Sequence, residues 1–238
     1  MTVHRMLRDA VRWGRIPKSP ADMADPPKRS ATYRPIKAWN IETLRTFVEL
    51  TSGDDLSPLW MLLATTGLRR GEALGLRWSD VDLDNGRAQV TQTMIAIGWQ
   101  VYVGQPKTQA GRRPVALDPL TVEVLRRHLQ HSAQTTIPGA ASCGLVFCGP
   151  DGEPLHPERV YQAFRRALLR HKLPTIPLHG LRHTWATIAL QTGIHPRVVQ
   201  ERLGHSNIAI TLQTYSHVLP TMHDDAAMSV AALFMPRG

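Results

Sequence analysis

Apolar residues recur at helical spacing through most of the chain and divide it into a first helix, a polar stretch and a long compact region. Residues 1–16 carry an apolar stripe typical of one helix face. That stripe consists of Val3, Met6, Leu7, Ala10 and Val11. Residues 16–35 are rich in proline and charge, which is typical of a linker. From residue 37 onward, the apolar pattern predicts one compact domain.

Capping residues mark the ends of the helices in the compact region. Asn40 is placed to cap one helix, Ser57-Pro58 starts another, and Gly67 stops it. Residues 71–76 are predicted as a short helical turn. Further helices are predicted from Pro119 onward and over residues 157–171, 180–192, 196–203, 207–214 and 221–234.

Strand signals lie between these two groups of helices. Asn85-Gly86 separates two runs of alternating apolar and polar residues, which is the pattern of a two-residue hairpin turn. Residues 100–103 and 113–117 are also strand-like and flank the loop at 104–112. Together these segments predict a small three-stranded antiparallel sheet. The predicted fold class is therefore α+β, mainly α-helical.

Composition excludes several classes of protein. The chain has 238 residues, of which 42% are hydrophobic and 20% charged, so it is neither disordered nor collagen-like. Its two cysteines, Cys143 and Cys148, exclude a disulfide framework and indicate a reduced, cytoplasmic setting. No apolar run approaches the roughly 20 residues of a membrane span, and the first residues lack a signal-peptide core. We therefore expect no membrane partner.

The charge of the chain points to a polyanionic partner. The net charge is +9 and the pI is near 10.2, for which nucleic acid is the default partner. Residues 1–35 hold eight Lys and Arg against three Asp and Glu, so more than half of the excess lies there. Most of the basic residues are arginine, whose planar fork suits phosphate, although a codon bias towards arginine remains an alternative.

Two segments in the first half of the domain hold candidate chemical groups. Arg69 and Glu72 lie three residues apart just after a helix stop. Taken alone, they are more simply explained as a surface ion pair. Lys107 lies in the loop between two predicted strands, where a lysine is commonly just solvated.

A third segment places His179, Arg182 and His183 on one helix face, because their spacing is i, i+3 and i+4. Two histidines four residues apart can bind zinc, but Gly180 follows His179 where a zinc protease has glutamate. A second group of possible zinc ligands matches no common spacing; it comprises His128, His131, Cys143 and Cys148. We therefore expect no metal site.

The fourth segment holds His205, directly after Gly204, and Tyr215 ten residues further on. Taken alone, Tyr215 is explained as a core aromatic residue. Taken in order, the four segments resemble the tyrosine recombinase family, the phage-type integrases. Three boxes carry the resemblance: TGLRRGEALGLRWSDVD, LHGLRHTWAT and LGHSNIAITLQTYSHV. It extends over about residues 37–220.

The resemblance implies the tyrosine recombinase catalytic-domain fold and an enzyme that cuts and rejoins DNA. The reaction passes through a 3′-phosphotyrosyl intermediate and uses no metal ion or cofactor. Tyr215 is the implied nucleophile, and Arg69 and Arg182 are the implied clamp on the scissile phosphate. A phosphorane transition state gains negative charge, which two arginine forks can stabilise.

The resemblance also assigns the proton transfers. Lys107 is the implied donor to the departing 5′ oxygen, and His179 is expected to aid deprotonation of the tyrosine. His205 is expected to donate a hydrogen bond to a phosphate oxygen, and Glu72 to support its neighbours without reacting. His183 matches an additional histidine of the family, and its role stays open.

The same resemblance predicts the organisation and the partners of the protein. Residues 1–36 resemble the last helix and basic linker of a core-binding domain, and residues 37–238 resemble the catalytic domain. The expected partners are double-stranded DNA bearing an attachment site, three further copies of the chain in a tetramer, and accessory DNA-bending or directionality proteins. Integration or excision of a mobile element is the expected biological role.

Two other functions remain open at this stage. Residues 181–203 are predicted as two helices joined across 193–195, which resembles a helix-turn-helix of a non-catalytic DNA-binding regulator. That function leaves Arg69, Lys107 and Tyr215 unexplained. A nicking-closing enzyme of the type IB topoisomerase kind uses the same chemistry without exchanging strands between two DNAs.

Overall fold

The chain divides into two compact units, residues 1–35 and residues 36–238. The computed structural model describes residues 3–24, 37–106, 109–135 and 143–215. Lys107 and the helix expected over 221–234 lie outside the described residues.

The first unit is built from helix α1, Val3–Arg12, and a short 3-10 turn, Pro20–Met23, that packs against it. The helix is shorter than the expected 1–16. None of its residues is buried, and Val3 and Met6 are 69% and 55% exposed. The predicted apolar stripe therefore forms no core within this unit.

Eight helices lie in the described part of the second unit and make up about half of it. They are α2 (Ile41–Leu50), α3 (Ser57–Thr66), α4 (Arg70–Leu74), α5 (Pro119–Thr135), α6 (Pro157–Arg170), α7 (Gly180–Gln191), α8 (Pro196–Leu203) and α9 (Ile208–Thr214). Side-chain caps fix the starts of two of them: at α2 the Thr43 amide donates to Asn40 Oδ1 at 2.9 Å, and at α5 the Thr121 amide donates to Asp118 Oδ1 at 3.0 Å. These helices confirm the ones predicted over this part of the chain.

Among the described residues, five short strands form two antiparallel sheets. They are β1 (Val81–Asp82), β2 (Arg87–Val90), β3 (Thr93–Ile97), β4 (Gln100–Gly104) and β5 (Arg113–Ala116). The three-stranded sheet has the order β1-β2-β5, and β3 pairs with β4 in a separate hairpin. The small three-stranded antiparallel sheet is thus confirmed. The hairpin at Asn85-Gly86 is present too, but Asp82 pairs with Arg87, so its connection has four residues rather than two.

One expected member of that sheet is wrong. Residues 100–103 do not join 113–117; they pair with β3, with Ile97 opposite Gln100. The turn between β3 and β4 is short, so their pairing closes a small loop at low entropic cost. β5 pairs with β2 instead, which brings the buried Val115 opposite the buried Ala88. The segment with Lys107 therefore connects two sheets and is not the tip of one hairpin.

The main core is aromatic where α2, α3 and α6 meet. Phe164 lies 5.5 Å from Phe47 and 5.7 Å from Trp60 between ring centroids. A smaller buried cluster is formed by α7, α8 and the end of α9. Its members are Ala186, Ala189, Leu190, Val199, Leu203 and Tyr215. Because Tyr215 belongs to this cluster, the packing of the last three described helices sets its position.

Cys143 and Cys148 form a disulfide, which the expectation of reduced cysteines did not include. Within the described ranges, no group of three or more His, Cys, Asp and Glu is arranged to hold a metal ion. In that same part of the chain, no helix is long and apolar enough to cross a membrane.

Gly67 and Gly193 both have a positive φ, but only at Gly67 would an added methyl group contact neighbouring atoms. Comparing the two positions separates the cost of backbone strain from the cost of overpacking. Gly67 ends α3 at φ 66°, and a Cβ there would lie 2.9 Å from Trp185 Cε3, whereas Gly193 at φ 82° has no atom within 4 Å of that position. We expect Gly193→Ala to lower the free energy of unfolding by about 1 kcal/mol through backbone strain alone. Gly67→Ala should cost about 2–4 kcal/mol, because overpacking adds to the strain.

Urea unfolding of both variants and the wild-type chain measures this difference. Equal losses would mean that Trp185 yields to the added methyl group without cost.

Candidate active site

Three chain segments bring the candidate groups together. The left-handed Gly67 ends α3, and the buried Leu68 anchors the following turn, so that Arg69 stands at the start of α4. His179 lies at the start of α7. Gly204 ends α8 at φ 64° and leads into the connection that carries the next histidine.

Glu72 is a buried carboxylate shared by two arginines. Its Oε1 accepts hydrogen bonds from Arg69 Nη1 at 2.7 Å and Arg113 Nη1 at 3.2 Å. Its Oε2 accepts from the Arg69 amide and from Arg113 Nη2, both at 2.9 Å. Burial by itself would raise the pKa of Glu72, but the hydrogen bonds and charges of the two arginines outweigh burial and hold that pKa below its usual range. The carboxylate is therefore charged at neutral pH.

Two guanidiniums are held at consecutive carbonyls where α8 ends. Arg182 is 2% exposed, and it donates to Leu203 O at 2.5 Å and to Gly67 O at 2.9 Å. Arg69 Nη2 donates to Gly204 O at 3.4 Å. Burial and the nearby Arg69 lower the pKa of Arg182 to about 9, so Arg182 is still a cation at pH 7.

His205 and His179 are neutral at pH 7. His205 Nδ1 lies 2.8 Å from Thr211 Oγ1, and Gln200 Nε2 donates to the His205 carbonyl at 2.6 Å. Desolvation and the neighbouring arginines lower the pKa of His205 to about 4. Desolvation and the adjacent His183 lower the pKa of His179 to about 4 as well. Neutral imidazoles keep one N–H donor each across the physiological pH range.

Tyr215 is 1% exposed, and its hydroxyl lies 2.9 Å from His183 Nδ1. Burial raises the pKa of Tyr215 to about 12, although the charge of Arg182 opposes this shift. Burial, followed by the charge of Arg182, lowers the pKa of His183. The phenol therefore donates and the neutral imidazole accepts. His179 packs edge-on against the His183 ring, with 4.8 Å between centroids.

Six of the seven residues predicted for the site are described. The structure brings these six into one region; they are Arg69, Glu72, His179, Arg182, His205 and Tyr215. The seventh, Lys107, lies outside the described residues. The hydrogen-bond partner of the tyrosine is His183, whose role the sequence left open.

Sequence reasoning missed Arg113. A signal was present, because the strand predicted over 113–117 places Arg113 on the same face as the apolar Val115 and Leu117. An arginine on a buried strand face needs an acidic partner. Only the fold reveals that this partner is Glu72.

The arginines and Tyr215 together can bind an anion and place the phenol to attack it. Three arginines, Arg69, Arg113 and Arg182, surround one carboxylate, which leaves an excess of positive charge. Arginine forks bind phosphate oxygens in pairs. A phenol whose proton already points at a neutral imidazole is a nucleophile with its base in place.

Relatives among curated proteins share this domain. The XerC-like tyrosine recombinase of Caldanaerobacter subterraneus is 27% identical over 215 residues, which cover 84% of this chain and 55% of that protein. The transposase of transposon Tn916 from Enterococcus faecalis is 29% identical over 170 residues, covering 66% of this chain and 41% of the transposase. The chain spans about half the length of these relatives.

Solved structures share the fold. The Tn1549 transposon integrase in complex with circular intermediate DNA has a TM-score of 0.69 and 25% identity, over 77% of this chain and 64% of the integrase. The XerH site-specific recombinase bound to palindromic difH substrate has a TM-score of 0.62 and 25% identity, over 84% and 54%. Residues 37–222 match the phage integrase family. The match takes in more than half of the chain, and the chain therefore belongs to the phage integrase family.

Proposed function

We propose that this chain is the catalytic part of a site-specific DNA recombinase, an integrase that cleaves and rejoins DNA through a 3′-phosphotyrosyl intermediate. One observation carries the proposal: two guanidiniums are fixed at adjacent carbonyls beside a phenol that is hydrogen-bonded to an imidazole. Membership of the phage integrase family supports it. Integration or excision of a mobile element is the proposed role.

The cleavage step conserves both charge and bonds. Tyr215 Oη attacks the scissile phosphorus, and its proton passes to His183 Nδ1 along the existing 2.9 Å hydrogen bond. The P–O5′ bond breaks, and the departing oxygen takes a proton from Lys107. In rejoining, a 5′ hydroxyl returns its proton to Lys107 as it attacks the phosphotyrosine, and the phenolate leaves and recovers its proton from His183. The energy of the phosphodiester bond is kept in the covalent intermediate.

Arg69 and Arg182 stabilise the additional negative charge of the phosphorane. The Arg69 side chain is 40% exposed and is held by Glu72 before substrate arrives, so it needs little reorganisation in the transition state. Arg182 is 2% exposed and, like Tyr215, meets the phosphate only after the binding of DNA has uncovered it. Removing one donor of this kind typically costs about 2.7–4 kcal/mol of transition-state stabilisation.

The neutral histidines supply further hydrogen bonds. His205 is held through Nδ1 by Thr211, which leaves Nε2 to donate to a phosphate oxygen. His179 lies against His183 and orients its ring. This differs from the direct help in deprotonation that the family resemblance implied for His179, and His183 takes that part in our proposal.

Lys107 is the proposed proton donor to the 5′ oxygen. The segment that carries it leads from β4 to β5, and β5 begins with the buried Arg113. The lysine is thus one short loop away from a residue that contacts Glu72. This connection supports the assignment that the family resemblance implied.

Tyr215 must leave its buried position before it can attack DNA, since a phosphate cannot reach a hydroxyl that is 1% exposed. The cluster that covers it is small and is built from the last described helices. We propose that binding of DNA opens this cluster around Tyr215 while its hydroxyl stays within hydrogen-bond reach of His183, and that cleavage waits for this movement.

The proposed substrate is double-stranded DNA with an attachment site. The net charge of +9 supports it, and the Tn1549 integrase and XerH have been solved with DNA. Exchange between two duplexes requires four strand cleavages, so a homotetramer belongs to the proposal, as do accessory DNA-bending or directionality proteins. Residues 1–36 are the proposed last helix and linker of a core-binding domain. Action on chromosomal DNA implies a cytoplasmic location.

The covalent intermediate tests the function directly. Nicked duplexes tiled across a candidate attachment site should give a detergent-resistant adduct with the wild-type chain and none with Tyr215→Phe, because only the attacking oxygen is removed. Tyr161→Phe is the matched control and should give the wild-type yield. A wild-type adduct yield from Tyr215→Phe would remove this tyrosine from the mechanism.

The same assay separates the alternative functions. DNA binding without any adduct would favour a regulator. An adduct with relaxation of supercoils, but no exchange between two DNAs, would favour a topoisomerase-like enzyme.

The two histidines near the hydroxyl are distinguished by the pH dependence of single-turnover cleavage. His183 accepts the proton only when neutral, and its pKa lies below the usual 6.5. The wild-type rate should therefore rise with pH on the acid side and level off by about pH 6.5. His183→Gln should be about 100-fold slower and should keep rising with pH as hydroxide replaces the base.

His179→Gln is the comparison variant. It should be slower than wild type but should keep the plateau. Loss of the plateau in His179→Gln together with its retention in His183→Gln would return the role of base to His179.

Lys107 is tested with a substrate whose bridging 5′ oxygen is replaced by sulfur, a leaving group that needs no proton. Lys107→Ala should be about 100-fold slow on normal DNA and close to the wild-type rate on the sulfur substrate. Arg112→Ala, in the same loop, removes a nearby positive charge and should show no such rescue. Equal defects of Lys107→Ala on both substrates would assign the lysine to positioning.

A further inference from the structure

Arg113 uses its guanidinium to join three parts of the site. Nη1 and Nη2 donate to the two oxygens of Glu72 at 3.2 and 2.9 Å. Nε donates to the carbonyl of Arg202, in the last turn of α8, at 2.6 Å. Nη1 also donates to the carbonyl of Gly111, at the end of the segment that follows Lys107, at 3.2 Å. The side chain is only 7% exposed.

Arg113 and Arg69 compete for one carboxylate. Glu72 accepts four hydrogen bonds, two from each arginine, which uses its full accepting capacity. The Arg69 side chain is 40% exposed and the Arg113 side chain 7%. The buried arginine therefore balances the carboxylate from inside, while the exposed one faces the space where substrate arrives.

The end of α8 is shaped to fit the Arg113 guanidinium. A Cβ at Gly204 would lie 2.7 Å from Arg113 Nη1 and 2.8 Å from Ala110 O, so no larger residue allows this approach. The carbonyls of Leu203 and Gly204 that hold Arg182 and Arg69 directly follow the Arg202 carbonyl that Arg113 binds. Arg113 thus fixes the end of α8, whose carbonyls accept hydrogen bonds from both phosphate-binding arginines.

We propose that Arg113 is a positioning residue of the cleavage reaction: it occupies Glu72 and anchors the end of α8, so that Arg69 is available to the scissile phosphate. Without Arg113, Arg69 is the one cationic partner left to Glu72. The Arg69 guanidinium then turns its N–H donors to the carboxylate and has fewer of them left for the phosphate. The inference rests on the proposed function. It predicts that removing the charge of Glu72 restores part of the phosphate binding that is lost with Arg113.

The first experiment needs no DNA and uses inorganic phosphate as the probe. The side-chain N–H signal of Arg69 is followed by NMR in the isotope-labelled 238-residue chain during a phosphate titration. Arg113→Met should weaken phosphate binding at Arg69 about tenfold or more, because charge-assisted hydrogen bonds are lost to Glu72. Arg112→Met is the matched control, since Arg112 is the exposed neighbour, and it should bind phosphate within about twofold of wild type.

The double variant Arg113→Met/Glu72→Gln is the decisive arm. Our proposal requires that it bind phosphate better than Arg113→Met alone, since the competing carboxylate is gone. If Arg113 served only to stabilise the fold, the second change would bring no recovery. Urea unfolding of each variant shows whether the comparison is made between folded chains. Arg113→Lys, which keeps the positive charge, is a second variant for the same titration, and we expect it to weaken phosphate binding less than Arg113→Met does.

The second experiment measures adduct formation at saturating DNA on the nicked duplexes described above. Arg113→Met should reduce the single-turnover rate about 100-fold, as expected for a misplaced catalytic group, with a smaller effect on the DNA concentration at half-saturation. Partial recovery in the double variant is expected here too.

The outcomes separate the two proposals. A wild-type chain that forms no adduct contradicts the proposed function, while the phosphate titration still decides the role of Arg113. Phosphate binding by Arg113→Met within twofold of wild type, or a double variant no better than the single one, would overturn the positioning role.

Discussion

The site depends on one buried carboxylate between two guanidiniums. Glu72 is charged although it is 4% exposed, because four hydrogen bonds from Arg69 and Arg113 replace the water it has lost. A single arginine would offset only part of the free energy lost when the carboxylate is removed from water. The pair of arginines therefore fixes α4 against β5 and, through the Arg202 carbonyl, against the end of α8. Arg182 and Arg69 are held by the next two carbonyls at that end of α8.

The electrostatics of the site follow from that junction. Three arginines and one carboxylate leave an excess of positive charge, which disfavours further protonation nearby. Burial first, and the neighbouring positive charge second, lower the pKa values of His179 and His205 to about 4, so both rings stay neutral donors at pH 7. Tyr215 is affected oppositely by its surroundings, because burial raises its pKa to about 12 more strongly than Arg182 lowers it. A phosphate that binds in the site adds negative charge, which offsets the excess positive charge of the three arginines.

Prediction from the sequence succeeds where the signal is local. Helix ends at Asn40, Gly67 and Gly204 are marked by residues whose side chain or backbone conformation terminates a helix, and the structure confirms them. It fails for β4, because residues 100–103 have the alternating pattern of a strand but carry no information about which strand they pair with. The short turn to β3 decided that pairing.

The sequence by itself determined the elements, the basic charge and the three boxes that place Arg69, Arg182 and Tyr215 in order along the chain. Only the tertiary structure decided which groups touch: Arg113 with Glu72, and His183 with Tyr215. The first pair is 41 residues apart and the second is 32. Contacts of that range depend on how helices and strands pack, and no spacing rule along a helix or strand reaches so far.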